Sequence, residues 1–290
     1  MKIRVGSRES MLAVTQSNMV IAAIKAYDPE IETELITMKT TGDRILDRNL
    51  DKVGGKGLFV KELEAALRED RVDITVHSFK DVTMEVSGDI PILCVSERED
   101  PRDCLVLPEG ATEIDFSKPI GCSSLRRMLQ FKEMHPEATF EPIRGNVQTR
   151  LRKLDSGMYG ATLFAVAGLK RAGLENRISR IYETDEMIPA ACQGILAVQG
   201  RKDQDISFLK DFRSGEAEII AKAERSYVRT LDGGCTSPVA AYCEFTEGQI
   251  KLTGLDINKE GKPFRMTITG DPADAEYLGR DLALRMKRME

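Results

Sequence analysis

A chain of 290 residues with 41% hydrophobic and 31% charged side chains has the make-up of an ordinary globular protein. It is long enough for two or three domains that together bury roughly three quarters of the surface the unfolded chain exposes. The net charge of -5 argues against a general nucleic-acid binder, which needs a basic excess, and no apolar run approaches the length of a membrane span, so neither partner is expected.

Strand-like and helix-like segments alternate through the first two hundred residues. Ile3-Arg4-Val5 reads as a strand, followed by a mostly apolar helix from about Ser10 to Tyr27 and a strand from Glu34 to Met38. Phe59, Leu63, Ala66, Leu67 and Asp70 trace one face of the next helix; Lys61, opposite that stripe, is expected at the surface. Ile74 to His77 is a strand ending at Ser78-Phe79-Lys80-Asp81. A second set follows: strands Cys104 to Leu107 and Pro119 to Gly121, a helix opening at Ser123 or Ser124, and helices from Asn146 and Ala167. The alternation predicts an α/β architecture with helices on both sheet faces. After about Gly215 the pattern changes to a helix from Glu216 to Leu231, short strands at Ala241 to Phe245, Ile250 to Leu255 and Pro263 to Thr269, and a closing helix from Asp271 with Pro272 near its start. That is a small α+β domain.

Six cysteines occur without a Cys-x-x-Cys pair and only two histidines accompany them, which disfavours zinc and a disulfide framework. Most of the thiols are expected to be small buried hydrophobes. Cys235 differs because Gly233-Gly234 should end the preceding helix and leave it on a constrained loop. His77 reads as a hydrogen-bonded strand residue and His135 as a loop residue.

Four junctions pair small residues with cations where a strand gives way to a helix, the usual place for anions in open α/β sheets. They are Gly6-Ser7-Arg8-Glu9-Ser10, Lys52-Val53-Gly54-Gly55-Lys56-Gly57, Gly121-Cys122-Ser123-Ser124-Leu125-Arg126-Arg127 and Arg144-Gly145-Asn146-Val147-Gln148-Thr149-Arg150. Taken alone, Arg126-Arg127 reads as a solvated helix face. The recurrence points to a ligand with several carboxylates, which suit arginine's planar fork. Asp81, beside Lys80 at a strand end, is either a surface ion pair or a group that steadies a developing cation.

Long strings along the chain resemble the hydroxymethylbilane synthase (porphobilinogen deaminase) family. They include Ser7-Arg8-Glu9-Ser10, Val53-Gly54-Gly55-Lys56-Gly57-Leu58-Phe59-Val60-Lys61-Glu62-Leu63, His77-Ser78-Phe79-Lys80-Asp81-Val82, Ser123-Ser124-Leu125-Arg126-Arg127, Arg144-Gly145-Asn146-Val147, Ala165-Val166-Ala167-Gly168-Leu169-Lys170-Arg171, Gln193-Gly194 and Gly233-Gly234-Cys235. The resemblance covers about residues 1–240. It implies two α/β domains like those of type II periplasmic binding proteins, with the active cleft between them, plus the small C-terminal α+β domain. The expected boundaries are residues 1–97 with 193–213, residues 98–192, and residues 214–290.

The resemblance further implies a dipyrromethane cofactor joined by a thioether to Cys235, and condensation of four porphobilinogen molecules onto it with loss of ammonia before hydrolytic release. By motif match Asp81 is the catalytic carboxylate. Lys80, Ser124, Arg126, Arg127, Arg150, Arg171 and Gln193 fall to the cofactor, and Arg8, Ser10, Lys52, Lys56, Phe59 and Arg144 to the substrate. Phe59 reads equally as a core aromatic. A monomer is the family expectation; the N-terminal stretch Lys2-Ile3-Arg4-Val5 shows no signal-peptide core, so the cytoplasm is expected, and the Cys and His content predicts no metal. Three departures stand out: Cys122 where threonine is common, costing a hydroxyl contact; Thr83 for a frequent proline, loosening that loop; and Cys192, a second thiol open to labelling. The rival readings are a solute-binding module without turnover and a phosphate-handling transferase.

Overall fold

The computed structural model describes residues 1–44, 60–233 and 237–289. In chain order the elements are β1 (Lys2–Arg8), α1 (Met11–Tyr27), β2 (Glu32–Met38), α2 (Thr41–Arg44), α3 (Lys61–Arg68), β3 (Ile74–Ser78), β4 (Ile92–Val95), β5 (Asp103–Val106), β6 (Ile120–Gly121), α4 (Leu125–Met134), β7 (Phe140–Glu141), α5 (Val147–Lys153), β8 (Ala161–Ala165), α6 (Val166–Arg171), β9 (Arg180–Ile181), β10 (Leu196–Gly200), α7 (Gly215–Thr230), β11 (Ala240–Thr246), β12 (Gln249–Ile257), β13 (Pro263–Gly270) and α8 (Ala275–Lys287). Two compact units result, one of residues 1–99 with 195–218 and one of residues 100–194 with 219–290.

The first unit is built on a five-stranded sheet of order β2-β1-β3-β10-β4. β1 runs parallel to both neighbours, while β10 is antiparallel to β3 and β4. Alternation along β1 sends Ile3 and Val5 into a core with Val20 and Ile24 of α1, Ile74 and Val76 of β3, and Val198 of β10. The other face carries Ala66 and Leu67 of α3 with Val72 and Ile90. Cover on both faces explains why β3 is buried at every position but its last. Lys61 is exposed, as its place opposite the stripe predicts.

The second unit repeats the plan with order β7-β6-β8-β5-β9, in which β6 is parallel to β7 and β8, and β5 runs antiparallel to β8. In both sheets three mutually parallel strands come first and the fourth in the order, β10 or β5, runs antiparallel to both its neighbours. That shared order gives each unit a mixed α/β sheet, as the resemblance implies for two α/β domains. Phe131, Leu163 and Tyr182 fill one face, Phe164, Leu151 and Leu169 the other.

The C-terminal segment of this unit is an antiparallel sheet, β11-β12-β13, with α7 and α8 beside it. The closing helix begins later than the sequence predicts, because Pro272 to Asp274 form a 3-10 turn capped by the Asp271 carboxylate. Strands β4, β7, β8, β9 and β10 are absent from the periodicity reading. β4, β8 and β10 are short, mostly buried runs that alternation cannot reveal, and β7 and β9 are only two residues long. Among the described residues no helix is long and apolar enough to cross a membrane.

Candidate active site

In the first unit the register of β1 on β3, Val5 opposite Ile74 and Gly6 opposite Thr75, brings Arg8 level with His77 at the C-terminal ends of two parallel strands. Ser10 caps α1, its hydroxyl accepting from the Ala13 N–H at 3.3 Å and keeping its own proton to donate. Just past β3, Phe79 to Asp81 form a 3-10 turn, fixed by the Phe79 N–H donating to Ile195 O at 2.9 Å and the Val82 N–H to Phe79 O at 3.1 Å. Lys80 and Asp81 are half-buried on that turn, beside buried Phe79. Arg8, Ser10, Lys80 and Asp81 thus share one sheet edge. His77 is a buried strand residue with Nε2 2.9 Å from Thr75 Oγ1. Burial, and secondarily the charge of Arg8, pushes it down to about 4, so it is a neutral structural group.

In the second unit the equivalent edge carries arginines. Ser124 is the N-cap of α4, and Arg126 and Arg127 follow in its first turn. Rather than forming a solvated face, they are 4% and 8% exposed. Both reach the carboxylate of Asp103 at the head of β5: Arg126 Nη1 donates to Oδ2 at 2.5 Å, and Arg127 Nε and Nη2 to Oδ1 at 3.0 and 2.7 Å. Arg126 Nη1 also donates to Ile188 O at 2.7 Å, and Arg127 Nη1 to Leu163 O at 3.2 Å. Burial would raise the Asp103 carboxyl, but the two guanidinium charges hold it well below the usual carboxylate range. Gln193 completes this group, donating through Nε2 to Asp103 Oδ1 at 2.9 Å and to Pro101 O at 2.7 Å.

Arg150 projects from α5 onto the same strands. Its guanidinium lies 4.0 Å over the Phe164 ring, and Nη2 donates to Leu163 O at 2.7 Å. Burial, followed by the charge of Arg127, pushes Arg150 down to about 10, and it remains a cation at neutral pH. The Nε atoms of Arg150 and Arg144 are buried with no hydrogen-bond partner. Gly145, at φ 114, supplies the backbone turn between Arg144 and the α5 cap Asn146, a conformation open to glycine. Arg171 donates to Gly194 O at 2.6 Å.

Asp103 is the residue the sequence reading missed. The signal was an acidic side chain opening the apolar strand Cys104-Leu105-Val106, where a buried carboxylate demands a cation. Lys52, Lys56, Phe59 and Cys235 lie outside the described residues.

The remaining five cysteines are all buried. Burial pushes Cys94 and Cys104 up to about 12 and raises Cys122 as well, so these are inert thiols. Cys192 is 1% exposed and therefore closed to labelling in the folded state, contrary to expectation. The Cys122 thiol faces the carbonyl of Ser124 at 3.6 Å. The Thr83 hydroxyl donates to Glu85 O at 2.6 Å, a contact that a proline there would lack. At the end of α7 it is Asp232, at φ 52, that takes the left-handed conformation expected of a glycine. A Cβ on Gly233 would come within 3.0 Å of Val228 Cγ1, so that glycine serves close packing instead.

Two family models match the chain: "Porphobilinogen deaminase, dipyromethane cofactor binding domain" over residues 3–207 and "Porphobilinogen deaminase, C-terminal domain" over residues 219–288. A porphobilinogen deaminase of Alkaliphilus oremlandii is 61% identical over 287 residues, 99% of this chain and 97% of the relative. One from Acetivibrio thermocellus is 59% identical over 286 residues, 99% of this chain and 98% of the relative. A Salmonella typhimurium periplasmic binding protein with high arginine specificity is 13% identical, at a TM-score of 0.39 over 76% of this chain and 96% of that chain, a likeness too loose to carry an argument. With family models over both parts of the chain and relatives near 60% identity across its length, this chain belongs to the porphobilinogen deaminase family.

Proposed function

We propose that this chain catalyses the porphobilinogen deaminase reaction, condensing four porphobilinogen molecules in turn onto a dipyrromethane held by Cys235 and releasing the linear hydroxymethylbilane. In each condensation the C–N bond of an aminomethyl group breaks and ammonia leaves. A C–C bond forms at the free α carbon of the growing chain, and that carbon loses its proton. Dipyrromethane supplies the first such carbon, together with acetate and propionate side chains.

The observation that carries the reading is the surplus of buried positive charge on the second sheet. Arg126, Arg127 and Arg150 stand against the carboxylate of Asp103, and Arg150 and Arg144 each hold a buried Nε without a partner. Buried and half-buried cations of this kind call for anions, and the carboxylates of a pyrrole chain meet that need. Arg126 keeps Nε and Nη2 donors beyond its contacts to Asp103 and Ile188, so it can hold Asp103 and a ligand carboxylate together. In this reading Lys80, Ser124, Arg171 and Gln193 also hold the cofactor, while Arg8, Ser10, Lys52, Lys56, Phe59 and Arg144 receive the substrate. Asp81 accepts the pyrrole N–H of the reacting unit and offsets the positive charge that grows there as ammonia departs. It also stands ready to take up the proton lost from the α carbon.

Mass spectrometry of the purified chain tests this. We expect a dipyrrolic increment mapping to the Cys235 peptide, regular further increments on brief incubation with porphobilinogen, and a native mass of one chain for the cytoplasmic monomer that the reading assumes. Active enzyme with an unmodified Cys235 would overturn it.

A further inference from the structure

Glu224, midway along α7, has no exposed surface. Its two oxygens take backbone amides from different parts of the second unit: Oε2 accepts from the Cys192 N–H at 2.6 Å and Oε1 from the Cys243 N–H at 2.7 Å. Cys192 has φ 61, in the left-handed region that residues with a side chain seldom occupy. Its successors carry contacts of the site already described. Gln193 donates to Asp103, and Gly194 O accepts from Arg171. A charge-assisted bond to the Cys192 amide therefore holds the strained turn from which Gln193 reaches the arginine cluster.

We infer that Glu224 is a positioning residue for the proposed reaction, acting through the Cys192–Gly194 turn to set Gln193 against Asp103, Arg126 and Arg127. The inference rests on the assignment of the arginine cluster to the pyrrole chain. A carboxylate is needed because both oxygens accept. Glutamine at this position turns an NH2 toward one of the two amides and leaves that N–H unpaired. The same carboxylate ties α7 to the turn beside the arginines and to the Cys243 strand.

The test compares the holoenzyme carrying Glu224→Gln, or Glu224→Asp, whose shorter arm reaches only one amide, with Leu278→Ala, which removes packing on α8 away from the turn. We expect kcat/KM for porphobilinogen to fall about tenfold in the Glu224 variants and less than twofold in Leu278→Ala at a comparable loss of Tm. Adding Glu224→Gln to Gln193→Ala should lower kcat/KM less than twofold further, since a positioning residue acts only through the group it positions. Combining Glu224→Gln with Cys192→Gly, which adopts the turn without strain, should recover part of the loss. Unchanged kinetics in both Glu224 variants, or losses that multiply independently with Gln193→Ala, overturn the inference and leave the site reading standing. If Gln193→Ala is itself silent, the role given to Gln193 fails first and this inference with it.

Discussion

Asp81 and His77 lie four residues apart at one strand end, and the proposed reaction gives the chemistry to Asp81 and a structural part to His77. Asp81 is half-buried on the turn after β3, where a carboxylate can meet a ligand. In the proposed reaction its replacement by alanine removes the charge set against the cation of the reacting ring, and we expect kcat to fall by roughly 10²-fold or more with the thermal transition unchanged. A fall of only a few fold measures that role as minor. His77 is pushed from 6.5 down to about 4 by burial, so between these values the unfolded chain binds a proton that the folded one refuses. Stability from this group is therefore present above the unfolded value and is lost as pH falls below it. At pH 5 the loss is about 2 kcal/mol, from the separation of the two values. Denaturant titrations at pH 7 and pH 5 should show His77→Gln losing less stability than the parent on acidification; equal losses would mean that His77 charges freely in the fold.

At the scale of elements, three helix starts were legible because caps are local chemistry. Ser10, Ser124 and Asn146 each accept from an N–H in the first turn of the helix they precede. Helix-to-helix contact was not legible in the same way. Gly279 on α8 looks replaceable by alanine, which favours a helix by about 1 kcal/mol. Yet a Cβ there would come within 2.2 Å of the Ala223 carbonyl oxygen and 2.8 Å of Ser226 Cβ on α7. A backbone carbonyl cannot swing aside as a flexible side chain does, so the crowding outweighs the propensity. We expect Gly279→Ala to cost about 1–3 kcal/mol net, read as a lower Tm; a raised Tm would show that the two helices part without penalty.

For the molecule as a whole, the alternation of strands and helices predicts α/β layers, and the change after Gly215 predicts a different final segment; the sheets have that character. The periodicity did not yield the sheet order or the return of β10 to the first sheet, since strand pairing joins residues far apart in sequence. The sequence by itself determined the cations at strand ends, the capped helices, and the strings that carry the family resemblance, all of which depend on neighbours within a few positions. Only the tertiary structure decided that Arg126 and Arg127 are buried on Asp103, more than twenty residues upstream, and that Glu224 joins Cys192 to Cys243. A buried charge is stable only where distant segments bring it a partner, and that meeting exists only once the chain has folded.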